Sequence, residues 1–350
     1  MEQTRTKIEE RLRDELPGVS VLKVRRMSGG ACQENFEVEL DHEGSRERLV
    51  MRSDAVRSLP SSIDRAQEYA VIGAARAHGV RTPRARFLTT GLRRPEASSY
   101  FLDWVDGEAI GRRVVKRPEL ESARRTLPVT LAKELSKIHA VDPKEHPDLL
   151  QTGYNPDPTR DAADAAMSSL ESMLGKLKEP HPPMDFALRW LGSRAPRAST
   201  VLVHGDFRTG NFMVSETGLA GVLDWEFAHW GAPEEDLSWI CVRDWRFSRL
   251  DRPVGGFGQR AEFYHAYREA SGREIDPEAI HWWEVFNNVS WGLGSIYQAE
   301  RYLSGEESDI ELVAIGRRAA EMEWEALRLI RRGPRWAGTL DRGRNSKGDH

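Results

Sequence analysis

The 350 residues predict an α+β protein of two lobes, a small N-terminal lobe built on an antiparallel sheet and a larger, mostly helical C-terminal lobe. Three observations carry this reading. Short strand-like runs broken by turn residues dominate as far as Val105, Asp106-Gly107 marks a change, and beyond it apolar residues recur mainly at helical spacing. The lobes are therefore expected at residues 1–105 and 106–332, with a polar, basic and disordered tail over 333–350.

Taken in order, a helix is expected from about Arg5 to Glu15, then strands at Val19 to Met27, Asn35 to Leu40 and Arg48 to Arg52. Ser28-Gly29-Gly30-Ala31 and the charged turn Asp41 to Ser45 separate them, as hairpins require. A helix from about Ile63 to His78 has capping residues Ser61, Ser62 and Asp64 at its start and Gly79 beyond its end. Arg86 to Thr90 and Ser98 to Trp104 complete the sheet. In the second lobe Leu131, Leu135 and Ile138 give a buried helix face from Pro128 to His139. Two helices, near Arg160 to Leu177 and Met184 to Leu191, follow in an elaboration rich in proline and charge. Strands at Val201 to Val203, Phe212 to Ser215 and Leu219 to Leu223 precede a helical remainder from Pro233 to about Arg332.

Composition removes several function classes. With 51 basic and 55 acidic residues intermixed, the net charge of -4 offers no continuous basic field for a phosphate backbone, so nucleic acid is not an expected partner. No run approaches the roughly 20 apolar residues of a membrane span, and Met1 to Glu15 is charged and amphipathic rather than a leader, so a cytoplasmic location is expected. Cys32 and Cys241 stand in different halves with no spaced partner, which argues against a disulfide framework or a cysteine metal site.

The informative segment is His204-Gly205-Asp206-Phe207-Arg208-Thr209-Gly210-Asn211, followed by Asp224-Trp225-Glu226. An apolar strand delivers Asp206 to a loop, and Asn211 opens a strand that turns at Glu216-Thr217-Gly218 and returns to Asp224. Because antiparallel partners lie about 5 Å apart, Asn211 and Asp224 meet at one mouth. An amide oxygen beside a carboxylate suits magnesium, which takes its remaining ligands from water and phosphate. Read singly, these residues also fit a chance turn and a loop cap.

Together they resemble the catalytic loop and metal-binding element of the aminoglycoside/choline phosphotransferases, relatives of the protein kinases. Gly205 stands where protein kinases carry Arg, and Asp224-Trp225-Glu226 replaces Asp-Phe-Gly, as in the small-molecule branch. The resemblance implies a bilobal protein-kinase-like fold, ATP and Mg2+ as cofactors, and a small-molecule hydroxyl as acceptor. It gives Asp206 the role of catalytic base, Arg208 that of a cation near the transferred group, and Asn211 and Asp224 that of metal ligands. Ser28, Gly29 and Gly30 fall where that family covers the nucleotide phosphates, although a plain hairpin turn uses the same glycines. Arg52 occupies the place of the usual phosphate-binding Lys, with Glu68 as its ion-pair partner, and Arg at this position resembles the acyl-CoA dehydrogenase-linked branch; an exposed strand-end Arg paired with nothing is the other reading. The carbonyl of Asp103 and the N–H of Val105 are expected to hold adenine. His139 and His204 are read as scaffold, and Asp236, in Gly231-Ala232-Pro233-Glu234-Glu235-Asp236-Leu237, as an acceptor for the loop's N–H groups or a cap of its own helix.

For the acceptor, Arg243, Arg246, Arg249 and Arg252 recur every three residues, which on a helix groups Arg243 with Arg246 and favours an anionic acceptor such as a hydroxy acid or its CoA thioester. Trp282, Trp283, Phe286, Trp291 and Tyr297 either wall that pocket or pack a core. Two other classes fit less well. A nucleotide-binding pseudokinase has no need of an intact Asp206, Asn211 and Asp224. A metal-dependent phosphoesterase needs a transition-metal centre, and the ten histidines show no His-x-His or His-Glu-x-x-His pairing.

Overall fold

The computed structural model describes residues 2–27, 33–55, 59, 61–151, 154–197 and 199–334. Ser28, Gly29 and Gly30 lie outside the described residues, as do positions 335–350 of the expected tail. The chain opens with α1 (Glu2–Leu12), whose Ile8 and Leu12 are buried. A five-stranded antiparallel sheet follows, built from β1 (Ser20–Arg26), β2 (Gln33–His42) and β3 (Ser45–Asp54), with α2 (Arg65–Ala77) intervening before β4 (Ala85–Thr90) and β5 (Ser98–Asp103). Its strand order is β1-β2-β3-β5-β4.

The two-residue period of the strands decides which side chains face which helix. Phe36 pairs with Met51 and Val38 with Leu49, and with Phe101 they pack under Ile8 and Leu12 of α1. The alternate residues of β3 and β5 point to the opposite face, where Tyr100 and Leu102 pack against Val71, Ile72 and Ala75 of α2. Arg52 is paired across the strands with Tyr100, so it points to this same face. Asp64 caps α2, accepting from the Gln67 N–H, and Gly79 follows its end with a φ of +77°.

The second part contains α3 (Gly111–Lys116), a single 3-10 turn at Pro118–Leu120, and α4 (Glu121–Ile138). Next come α5 (Ala162–Leu174), α6 (Pro182–Gly192), β6 (Val201–Val203), β7 (Phe212–Ser215), β8 (Gly218–Val222), β9 (His229–Gly231) and α7 (Pro233–Trp239). After a 3-10 turn at Arg243–Arg246, α8 (Arg260–Ser271), α9 (Pro277–Leu303), α10 (Glu311–Gly316) and α11 (Arg318–Arg332) complete the chain. No helix among the described residues is long and apolar enough to cross a membrane.

One expectation needs correction, and one element was not foreseen. The helix expected from Pro128 begins at Glu121, with Pro128 inside it and buried. A proline within a helix removes one ladder bond, but burial of Leu127, Leu131, Leu135 and Ile138 on one face outweighs that local cost. Between Glu226 and Pro233, a stretch for which the sequence suggests no element, lies β9, a three-residue strand that pairs antiparallel with β6. Too short to show a period of its own, it is defined by its partner.

The β7–β8 hairpin is tied at both sides. Glu108 and Val214 exchange backbone bonds of 2.9 and 3.0 Å, and the Val222 N–H donates to the Arg81 carbonyl at 2.8 Å. Gly107 makes the first of these approaches possible, since a Cβ there would lie 2.8 Å from the Val214 carbonyl oxygen at a φ of +151°. Gly107→Ala is expected to destabilise the fold by about 1–3 kcal/mol, read as a lower urea midpoint at unchanged slope.

Candidate active site

β6 is buried throughout and runs directly into the loop from His204 to Asn211. The loop hangs on one carboxylate. Asp236, fully buried in the first turn of α7, accepts from the backbone N–H of His204 at 2.7 Å and of Gly205 at 3.1 Å, and meets His139 Nε2 at 3.3 Å. Burial alone would raise the pKa of Asp236, but His139 and the His204 N–H more than reverse this and hold it below the ordinary carboxylate value. Of the two roles open to Asp236 in the sequence, the structure shows the loop anchor.

Gly205 could be nothing else. Its φ is +77°, and a Cβ would sit 2.1 Å from the Phe227 carbonyl oxygen. His204 is buried against Trp225, with ring centroids 4.6 Å apart. Its Nδ1 accepts from the Asp206 N–H at 3.2 Å and its Nε2 donates to the Leu223 carbonyl at 3.0 Å, so one neutral tautomer joins the loop to the residue before Asp224. Burial lowers the His204 pKa, which keeps the ring in that form. His139, bonded to Tyr267 and Asp236, is likewise scaffold.

Asp206 is almost wholly enclosed, and its oxygens are occupied unequally. Oδ1 accepts from Arg208 Nε and from Trp239 Nε1, each at 2.8 Å, while Oδ2 accepts from Asn211 Nδ2 at 2.7 Å. An ionised carboxylate has about four lone-pair sites, so one on Oδ2 is left over. Asn211 Nδ2 also reaches the Asp206 carbonyl at 3.0 Å, which turns its Oδ1 away from Asp206. The Leu223 N–H donates to the Asn211 carbonyl at 2.8 Å, closing the hairpin with Asn211 beside the strand end that carries Asp224. Asp224 itself adopts a left-handed conformation with φ of +67°, a cost that a non-glycine residue bears where its side chain must be aimed.

Arg52 reaches across from the sheet. Its Nη2 lies 3.1 Å from Glu68 Oε1 and 2.8 Å from Asp224 Oδ1, and its side chain is 8% exposed. An exposed, unengaged Arg at a strand end is therefore not what the fold contains, and Arg52 stands two residues inside β3. Arg65, unnoticed in the sequence, contacts the other Glu68 oxygen at 2.5 Å and lies 3.9 Å from Glu226. Burial alone would weaken the hold of Arg52 on its proton; Glu68 foremost, with Asp224 and Glu226, reverses this and raises its pKa, so the cation is fixed.

The structure thus brings Asp206, Arg208, Asn211, Asp224, Arg52 and Glu68 into one connected cluster. Asp103 and Val105 lie apart, at the end of β5 and just beyond it, where the Asp103 N–H donates to the Arg84 carbonyl at 3.0 Å and the Trp104 N–H to the Arg48 carbonyl at 3.2 Å. The arginine series does not form the expected face. Phe247 and Ser248, with φ of 45° and 73°, break the chain after one 3-10 turn. Arg246 is buried on the Cys241 carbonyl, Arg243 approaches Glu325, and Arg249 and Arg252 pair with Asp251. The aromatic residues of α9 divide in two. Trp282, Trp283 and Phe286 pack a core with α5 and α6, whereas Trp291 stacks toward the site on Trp245, which in turn lies under Arg208.

Trp239 is the functional candidate that sequence reading missed. The signal was present in its position three residues after Asp236, one turn along the same face of α7, so that one helix holds the loop by its backbone and Asp206 by its side chain.

A family model described as the phosphotransferase enzyme family matches residues 23–273. The chain belongs to that family. Among solved structures, this phosphotransferase resembles a Ralstonia eutropha protein assigned as an aminoglycoside phosphotransferase, at a TM-score of 0.69 and 22% identity over 92% of this chain and 97% of the other. It also resembles a choline/ethanolamine kinase family protein of Mesorhizobium loti, at 0.60 and 16% over 96% and 98%. A thermostable mutant of aminoglycoside phosphotransferase APH(4)-Ia, in ternary complex with AMP-PNP and hygromycin B, aligns at 0.60 and 16% over 93% and 98%. At these identities the likeness is one of fold. A protein of Arabidopsis thaliana named as a probable acyl-CoA dehydrogenase, IBR3, is 26% identical over 344 residues, and the match spans 89% of this phosphotransferase but 40% of that relative's length.

Asp236→Asn leaves the loop donors poorly matched and is expected to cost about 3 kcal/mol near neutral pH in urea unfolding. Because the folded-state pKa of Asp236 is lowered, its contribution is complete above the unfolded value of about 3.9 and lost as pH falls through the folded one. The stability gap between wild type and variant should therefore narrow in acid.

Proposed function

We propose that this phosphotransferase moves the γ-phosphoryl group of ATP to a hydroxyl of a small molecule, with Asp206 as the catalytic base. The observation that carries this is the remaining lone pair on Asp206 Oδ2, beside Asn211 and Asp224 at the mouth of one hairpin. The acceptor O–H binds Asp206 there and is held in line for attack. Full deprotonation in advance is not required, since the loose transition state of phosphoryl transfer needs little nucleophilic push, and Asp206 collects the proton late. Arg208 and Trp239 fix Oδ1, so the carboxylate cannot rotate away from the acceptor. Arg208 also places a cation beside the transferred group.

The donor set fits magnesium. The Asn211 amide is oriented by Asp206 so that its oxygen faces outward, the Asp224 carboxylate is partly exposed, and both are hard oxygen ligands. When bound, the ion would screen charge on the β- and γ-phosphates. Arg52 would exchange its contact with Asp224 for phosphate oxygens while keeping Glu68, and its planar fork can meet two such oxygens. Asp103 and Val105 would hold adenine through the backbone, with Ser28, Gly29 and Gly30 over the phosphates. The nucleotide-bound state of APH(4)-Ia supports this reading through the shared fold.

For the acceptor, a hydroxy acid or hydroxyacyl-CoA is the finer proposal. Dispersal of the arginine series removes one argument for it, and what supports it is the alignment with proteins named as acyl-CoA dehydrogenases, together with Arg208 at the acceptor side.

An ATP-consumption screen over hydroxy acids, hydroxyacyl-CoA thioesters and aminoglycosides should give turnover with the first two groups. Asp206→Asn should bind magnesium nucleotide normally but lose about 10²–10⁴-fold in kcat. Nucleotide binding without transfer to any acceptor would instead identify a pseudokinase. Trp239→Phe should lower kcat with little change in nucleotide affinity, because it frees one bond to Asp206 and leaves the cluster around Arg52 intact.

A further inference from the structure

Outside the catalytic cluster the fold assembles a second group of ligating side chains. His78, Glu145 and His146 each offer a ligand atom, and the three atoms lie within 4.8 Å of one another. They come from different parts of the chain. His78 is the C-terminal cap of α2, whereas Glu145 and His146 sit in the turn after α4.

We infer that His78, Glu145 and His146 form a binding site for a divalent transition cation of the zinc type, which clasps the end of α2 to the helical lobe. The chemistry of the donors is specific. Two imidazoles and a carboxylate are one of the sets that hold zinc with an open fourth position for water, and imidazole nitrogen excludes magnesium and calcium as the preferred ions. A bond at the other nitrogen of a metal-binding imidazole sets its tautomer and aims the ring. His78 has such a bond, since its Nδ1 donates to the Ala74 carbonyl at 3.0 Å and leaves the Nε2 lone pair for a metal.

The remaining ligands are available. Neither the Glu145 nor the His146 side chain has a hydrogen-bond or ion-pair partner among the described residues, and the His146 ring stands edge-on to His78 with centroids 5.7 Å apart. Their turn is built by backbone bonds from Glu145 to Asp142 and from His146 to Pro143, and anchored by the buried Leu149 and Leu150. A tetrahedral zinc with bonds of about 2.0–2.1 Å needs its ligand atoms about 3.3 Å apart. Closing the difference would fall to rotation of the exposed Glu145 and half-buried His146 side chains.

The position gives the site a consequence. The segment after α4 already touches α2 near its start, where the Gln151 N–H donates to Gln67 Oε1 at 2.8 Å. A cation at His78 adds a second tie at the far end of the helix, about 15 Å along α2 from Glu68. Fixing α2 at both places limits its movement against the helical lobe, and so the movement of the Glu68 carboxylate that holds Arg52.

The test is equilibrium dialysis of the chelator-stripped chain against zinc, with bound metal counted by mass spectrometry. Wild type, His78→Ala, His146→Ala and Glu145→Gln are compared, each checked for native circular dichroism. Wild type should bind one equivalent that both histidine variants lose and that Glu145→Gln binds at least tenfold more weakly. Cobalt(II) in the same site should give the intense visible bands of a tetrahedral centre, absent in His146→Ala. Zinc should raise the melting temperature of wild type and leave that of His146→Ala unchanged. Since His146 lies in an exposed turn, that variant reports on ligation even if His78→Ala fails to fold. No zinc taken up by wild type, or the same number of equivalents bound by wild type and His146→Ala, overturns the proposal. Zinc held at Asn211 and Asp224 would appear as an equivalent insensitive to His146→Ala, so the outcome is separable from the reading of the catalytic centre.

Discussion

A carboxylate with no exposure to water holds the loop from His204 to Asn211 in place. Asp236 spends its lone pairs on two consecutive loop N–H groups and on His139, and by this means compensates a desolvation that would otherwise favour its protonation. The loop can therefore adopt a backbone path with Gly205 in the left-handed region and still leave no orphaned donor at His204 or Gly205. His204 passes the constraint on, from its own N–H on Asp236 to its Nε2 on Leu223. Asp206 on one side and Asp224 on the other are thus positioned by a single chain of hydrogen bonds.

Charge is arranged across the two parts of the molecule in a complementary way. Arg52 and Arg65 bring two buried cations from the sheet and α2 to Glu68, Asp224 and Glu226. Such an assembly contributes little net stability, because desolvation cancels most of the Coulomb gain. Its value lies in selectivity. Removing any one partner leaves the others buried and unmatched, so the sheet, α2 and the Asp224 segment keep one relative placement. Arginine at position 52 suits this role, since one guanidinium nitrogen serves Glu68 and Asp224 together.

Around Asp206 the environment is aromatic as well as charged. Trp239 donates to the carboxylate, Trp245 lies between Trp239 and Trp291 with its ring tilted about 50° to each, and Arg208 lies over Trp245. These rings surround the Oδ1 side of the acid and help to bury it. They come from α7, the 3-10 turn and α9, three elements that share no sequence motif and meet only through packing.

The sequence by itself determined the alternation that sends Met51 to one face of the sheet and Arg52 to the other, the capping of α2, and the hairpin that joins Asn211 to Asp224. These follow from local periods and turn chemistry, which act over a few residues. It also carried the spacing of His204, Asp206 and Asn211, because a loop between two strands admits few geometries. What tertiary structure decided is of longer range. The arginine series lost its helix to two left-handed residues, Pro128 stayed within a helix whose buried face outweighed its cost, and β9 formed only because β6 lay beside it. Arg65, Trp239 and the meeting of His78 with Glu145 and His146 depend on which surfaces come together. No spacing in the chain encodes such contacts, since they arise where separate elements exclude water from a common face.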